Sequence, residues 1–162
     1  GGADAAGAAY RTALRTQPGG YTAIAYADFL IAQGRPREAR VVLHGQPDSD
    51  AVLLRIAIAD PAGDAGRAAA DELRRRFAQA DLRPGAGAGH ARERALFSLH
   101  ITRDAEAALR HARENVKTQR EPLDLFVLLL SAQAAGDAAA LAWARQLIQE
   151  TGLEDRRIEA LL

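Results

Sequence analysis

Ala32-Gln33-Gly34-Arg35-Pro36 writes the end of one helix and the start of the next into five residues. Gly34 stands where a helix terminus wants a left-handed residue. Pro36 suits the first turn of a new helix, where its missing N–H costs nothing. The phrase returns with small changes as Pro61-Ala62-Gly63-Asp64, Thr102-Arg103-Asp104 and Ala135-Gly136-Asp137. In these three an Asp follows the break, able to accept a hydrogen bond from the free N–H groups of the next helix. Links this short leave consecutive helices to pack as antiparallel hairpins. From Gly34 through Gly63 and Arg103 to Gly136 the breaks are 29, 40 and 33 residues apart. Spacing of that length marks a helical repeat array.

Between the breaks, a 3.6-residue apolar period and an Ala-Leu-Arg-Glu bias predict helix almost throughout, with no strand pattern. Helices are expected near 3–16, 20–33, 36–45, 49–60, 65–80, 89–101, 105–119, 122–135, 138–151 and 154–161. Ala6, Tyr10, Ala13 and Pro18 space small residues and an aromatic as the second helix of a tetratricopeptide repeat does. Tyr26, Ala27, Leu30, Gly34 and Ala39 carry the pattern through the next repeat. On these residues the chain resembles the tetratricopeptide-repeat family. The resemblance implies an all-α fold, a right-handed α-solenoid of antiparallel helix hairpins, as a single domain over 1–162. Its parts are a half repeat at 1–18, repeats at about 19–47, 48–81, 89–121 and 122–152, and a capping helix at 153–162. Leu82 to Gly89, with Pro84 and alternating Gly and Ala, is expected as a flexible insertion. Ala39 and Ala108 fall at expected close helix crossings.

The stretch Tyr26-Ala27-Asp28-Phe29-Leu30 ahead of Gln33-Gly34-Arg35-Pro36 is also similar to one group of bacterial tetratricopeptide proteins. Ala112-Arg113-Glu114-Asn115, Gln119-Arg120-Glu121-Pro122 and Glu150-Thr151-Gly152-Leu153-Glu154-Asp155 add to the likeness. Members of that group tend to be longer and to start with a secretory signal. The resemblance therefore implies a periplasmic or envelope-associated place, with a cytoplasmic one as the alternative. It lends no chemistry. The chain opens on Gly1 and has no Met, so a processed form or a segment of something longer is expected.

The 162 residues carry 21 basic and 21 acidic side chains, so no net field draws them to nucleic acid or an acidic membrane. Lys117 is the only lysine. The absence of Cys removes disulfides, thiolate metal sites and Cys nucleophiles. The longest apolar run, Leu125 to Leu130, is too short to cross a bilayer.

The residue types that carry catalysis are scattered. His44, His90, His100 and His111 are never three or four apart on one helix face. His90 and Glu93 share a face, but two ligands fall short of the three or four that a metal needs. Asp71-Glu72 sits beside Arg74 to Arg76, and Glu154-Asp155 opens a helix where negative charge is favoured. Ser49, Ser98 and Ser131 lack a nucleophile-elbow pattern. Gly85, Gly87 and Gly89 come with no lysine or strand, so they read as a linker rather than a phosphate loop. Arg67 with Arg74, Arg75 and Arg76 reads as a solvated, salt-bridged face rather than a nucleic-acid patch. No enzyme, cofactor or metal is expected.

What is left is a surface. In the tetratricopeptide family the first helix of each hairpin lines the concave face. The matching positions are Tyr21, Ile24, Asp28 and Ile31 in the second repeat, and His90, Glu93, Phe97 and His100 in the fourth. In the fifth they are Leu123, Phe126 and Leu130. The helix over Leu123 to Leu130 is apolar nearly all round, broken by Asp124, so it is either covered on both sides or lends a face to a partner. A protein or peptide partner on this face is the first expectation, and a structural subunit of an envelope complex is the second. The half repeat at 1–18 lacks its partner helix. Tyr10, Ala13 and Leu14 are therefore expected to leave an apolar edge for a second copy.

Overall fold

The computed structural model describes residues 2–83, 89–153 and 155–161. The centre of the expected insertion, Pro84 to Ala88, lies outside the described residues, as do Glu154 and Leu162 of the expected cap. Every described element is helical. In order they are α1 (Gly2–Thr16), α2 (Gly20–Ala32), α3 (Pro36–Leu43), α4 (Asp50–Ala59) and α5 (Asp64–Asp81). After them come α6 (Ala91–Phe97), a π-helical turn over Ser98–Thr102, α7 (Ala105–Asn115), α8 (Pro122–Ala135), α9 (Ala138–Thr151) and α10 (Arg156–Glu159). None is long and apolar enough to cross a membrane among the described residues.

The breaks work by three different means. Gly34 (φ 70°) and Gly136 (φ 63°) are left-handed as expected, and Pro36 and Pro122 open α3 and α8. Asp104 and Asp137 cap α7 and α9, accepting from Ala107 N at 2.9 Å and Ala140 N at 2.8 Å. At the Thr102-Arg103-Asp104 break Arg103 itself takes the left-handed conformation, φ 58°, where a side chain is strained. The helix before it widens into the π-helical turn, and Asp104 N reaches back to the Ser98 carbonyl at 3.0 Å.

Gly63 corrects the expectation, because it is not left-handed. It answers a need for space: a Cβ there would overlap the Asp60 carboxylate, and one on Gly66 would overlap the Asp60 carbonyl oxygen. Asp64 is the first residue of α5 and pairs with Arg67 at 2.5 Å. α7 ends four residues sooner than expected, at Asn115, whose side chain turns to a carboxylate on α8 instead.

The sequence reads as one domain, but packing separates two compact units, Gly1–Arg76 and Phe77–Leu162, with the division inside α5. Contacts run chiefly between sequence neighbours, so they thin out along an 18-residue helix. In the first unit α2 packs on α1, α3 and α4, and α3 on α4. Tyr26, Ala27, Leu30, Ala39, Leu43 and Val52 belong to one cluster of its core. In the second unit α6 packs on α7 and α8, α7 on α8, and α8 on α9 and α10. Leu125, Leu128 and Leu129 on α8 lie at its centre, with Val116, which caps the end of α7, and Ile158 of α10 equally covered. Ala39 and Ala108, at 0% exposure, leave the closeness of approach that small residues permit.

Candidate interaction surface

On α2, Ala23, Tyr26, Ala27 and Leu30 are buried, while Tyr21, Ile24, Asp28 and Ile31 are not fully covered. Tyr21 is 87% exposed. Ile24 and Ile31 are half-buried against the core cluster. Asp28 is already engaged: both its oxygens accept from Arg55 of α4, at 2.9 Å each. That fork-to-fork pair leaves the guanidinium only 3% exposed, and Arg55 Nη1 also donates to the Ala51 carbonyl.

The positions at the fourth repeat do not form one face. His90 meets Phe77 edge-on at 6.2 Å, and Glu93 and His100 are half-buried. Phe97 is a correction. It is 6% exposed and packs perpendicular to Phe77 at 5.7 Å, so it is core and cannot serve an accessible surface. The missing signal was that α6 is short and apolar toward Phe77, a residue outside its own repeat.

On α8, Leu123, Phe126 and Leu130 are the half-buried stripe of an otherwise buried helix. Asp124, beside them, is fully buried and gathers three elements. Arg92 of α6 donates to it through Nε at 2.5 Å and Nη2 at 3.1 Å, and Asn115 of α7 through Nδ2 at 2.6 Å. The Glu121 N–H adds a fourth bond at 2.8 Å, closing the capping box of α8. Arg92 also reaches Glu121 at 2.8 Å. Burial alone would lower Arg92, but Asp124, with Glu121, outweighs it and raises it above its ordinary value.

Sequence reading passed over Arg55 and Arg92. The available signal was a charge inside an apolar run, Arg55 within Val52 to Ile58 and Asp124 within Leu123 to Leu130, since such a charge needs an opposite one.

Arg74 pairs with Asp71 at 2.6 Å, Arg75 with Glu72 at 2.6 Å, and Arg76 with Glu72 and Asp50 at 2.8 and 3.0 Å. The basic streak is thus matched by carboxylates. His44 is exposed and His111 half-buried. Burial lowers the His111 pKa, and Arg94 and Arg110 add to that. Among the described residues no three His, Asp or Glu side chains are grouped to hold a metal ion. At the expected N-terminal edge, Tyr10 is stacked on Tyr26 at 5.4 Å and tilted against Phe29 at 5.3 Å, so it is packed rather than bare. Ala13 and Leu14 are half-buried.

Comparisons with known protein families, with curated proteins and with solved structures found no match.

Proposed function

We propose that the chain is a tetratricopeptide-like interaction scaffold: stacked helix pairs wound as a right-handed solenoid, binding a peptide or protein and doing no catalysis. The observation that carries the reading is the packing of next-but-one helices, α2 on α4 and α6 on α8, with a helix laid between the two in sequence. That is how first helices line up when hairpins stack. Tyr21 on α2, exposed, and the half-buried stripe Leu123, Phe126 and Leu130 on α8 are the parts of those helices that a partner would engage. The periplasmic or envelope placement is proposed on resemblance alone.

Capture from envelope extract with the intact chain, and with Tyr21→Ala or Phe126→Leu, tests it. Loss of the same captured protein in at least one variant supports the reading, and capture indifferent to both overturns it.

A structural subunit of an envelope complex is the second reading. Val41 of α3, 75% exposed, and Trp143 of α9, 37% exposed, favour it, because they offer apolar contacts on the second helices. Self-association through α1 is a narrower proposal now that Tyr10 is taken up inside, and sedimentation showing a strict monomer removes it.

A further inference from the structure

The C-terminal segment lies on α8 and meets Phe126, one of the side chains that the proposed surface uses. Arg157 holds its guanidinium 5.2 Å from the centre of the Phe126 ring. Gln133, toward the other end of α8, donates to the Leu161 carbonyl at 3.1 Å. α10 contacts α8, and Ile158 is 1% exposed. Gly152, left-handed at φ 61°, ends α9 ahead of the segment. Asp155 then braces the turn, accepting from the Arg157 N–H at 2.9 Å and from its guanidinium at 2.6 Å.

The hold is thin. α10 has four residues, a single turn that cannot form without tertiary support. Ile158 is the buried side chain among those described in the segment; Arg157, Glu159 and Ala160 are exposed, and Asp155 and Leu161 half-buried. α9, by contrast, is anchored by Ala140, Ala144, Leu147 and Ile148. An element with so few apolar contacts opens locally well before its surroundings do. A cation over an aromatic face, next to one buried aliphatic, is also how a short helical peptide can dock on a helix.

The geometry points to residues 155–161 as a displaceable strap. The strap occupies Phe126 in the resting chain and gives way to a partner peptide that presents a guanidinium to the same ring from a helical turn. This rests on the reading of α8 as a binding face and specifies the partner's chemistry. A tethered occupant competes at high effective concentration, so the strap as well as the face sets the affinity for a partner.

The test titrates a labelled synthetic peptide with the sequence of residues 153–162 into the full chain. Ile158→Asn, which loosens the strap, is expected to bind the peptide about ten-fold more tightly, the gain for a site otherwise closed nine-tenths of the time. Adding Phe126→Leu is expected to abolish that gain. Equal binding by the natural chain and Ile158→Asn overturns the proposal. Unfolding of Ile158→Asn also counts against it, since a segment whose loosening unfolds the chain is a structural cap. Arg157→Ala alters an exposed side chain and is expected to give a smaller gain; no gain at all again counts against the strap. If the peptide binds as expected while capture from extract is indifferent to both Tyr21→Ala and Phe126→Leu, the scaffold reading fails and the strap stands.

Discussion

Both units tie a helix to the next but one with an Asp–Arg pair, but with the charges in opposite order. In the first unit the carboxylate comes first, Asp28 of α2, and the guanidinium of Arg55 follows on α4. In the second, Arg92 of α6 precedes Asp124 of α8. The surroundings differ as well. Asp28 keeps 32% of its side chain open to solvent and is held by Arg55 alone among the bonds described, whereas Asp124 is sealed at 0% and takes four hydrogen bonds. The difference teaches that the place between packed helices, and not the identity of either residue, demands a matched pair. How deep the carboxylate sits decides how many partners it must have.

Asp124→Ala should break the comparison hardest. It strands Arg92, Asn115 and the Glu121 N–H together and is expected to cost about 3–5 kcal/mol in a urea melt. Hydrogen exchange should locate the damage in α6, α7 and α8 while α2 to α4 stay protected. Asp28→Ala is expected to cost less, about 3 kcal/mol, because it removes two hydrogen bonds rather than four, although it strands Arg55. Adding Arg55→Met should recover more than half of that loss, since no buried charge is left over. A double variant no better than the single one would mean that the shape of Arg55, and not its charge, holds α4.

Ala39→Leu and Ala108→Leu probe the crossings that the units share. Each is expected to lose about 1–3 kcal/mol by overpacking, and a neutral result would remove that alanine from a close crossing. Arg103→Gly is expected to gain about 1 kcal/mol in thermal melts by relieving left-handed strain, with Gly136→Ala losing a similar amount.

The smallest effect concerns His111 of the second unit; the first unit's His44 is exposed. Burial, with Arg94 and Arg110 adding to it, lowers the folded pKa below the ordinary 6.5. The folded chain therefore holds this proton less tightly than the unfolded one does. Its contribution is whole above pH 6.5 and is lost as pH falls from there through the folded value. His111→Gln should flatten the acid side of a melting-temperature profile, and an unchanged slope would place the acid sensitivity elsewhere.

Much of the helical layout was legible because it is local. Pro36 and Pro122 open helices, Pro61 follows the end of α4, and Asp104 and Asp137 cap as their positions demand. Misreadings came where a group outside the local pattern intervened. Gly63 leaves room for the Asp60 carboxylate and Gly66 for the Asp60 carbonyl, and Asn115, the last residue of α7, bonds to Asp124. The surface positions suffered from the same blindness. The tetratricopeptide resemblance pointed to Tyr21, Ile24, Asp28 and Ile31 of α2, yet it could not tell that Asp28 would be spent on Arg55, 27 residues away. Phe97 looked like a groove aromatic only because Phe77 lies outside the repeat that frames it.

The ties between helices are built from guanidinium groups, and Lys117, the single lysine, pairs only with Glu114 within its own turn at 2.5 Å. An ammonium begins to lose its charge near pH 10, but a guanidinium keeps its charge far beyond that. Arg92, whose pKa Asp124 and Glu121 raise further against its burial, will thus hold Asp124 in strongly alkaline solution. The limit of alkaline tolerance in this molecule will be set by something other than the failure of that pair.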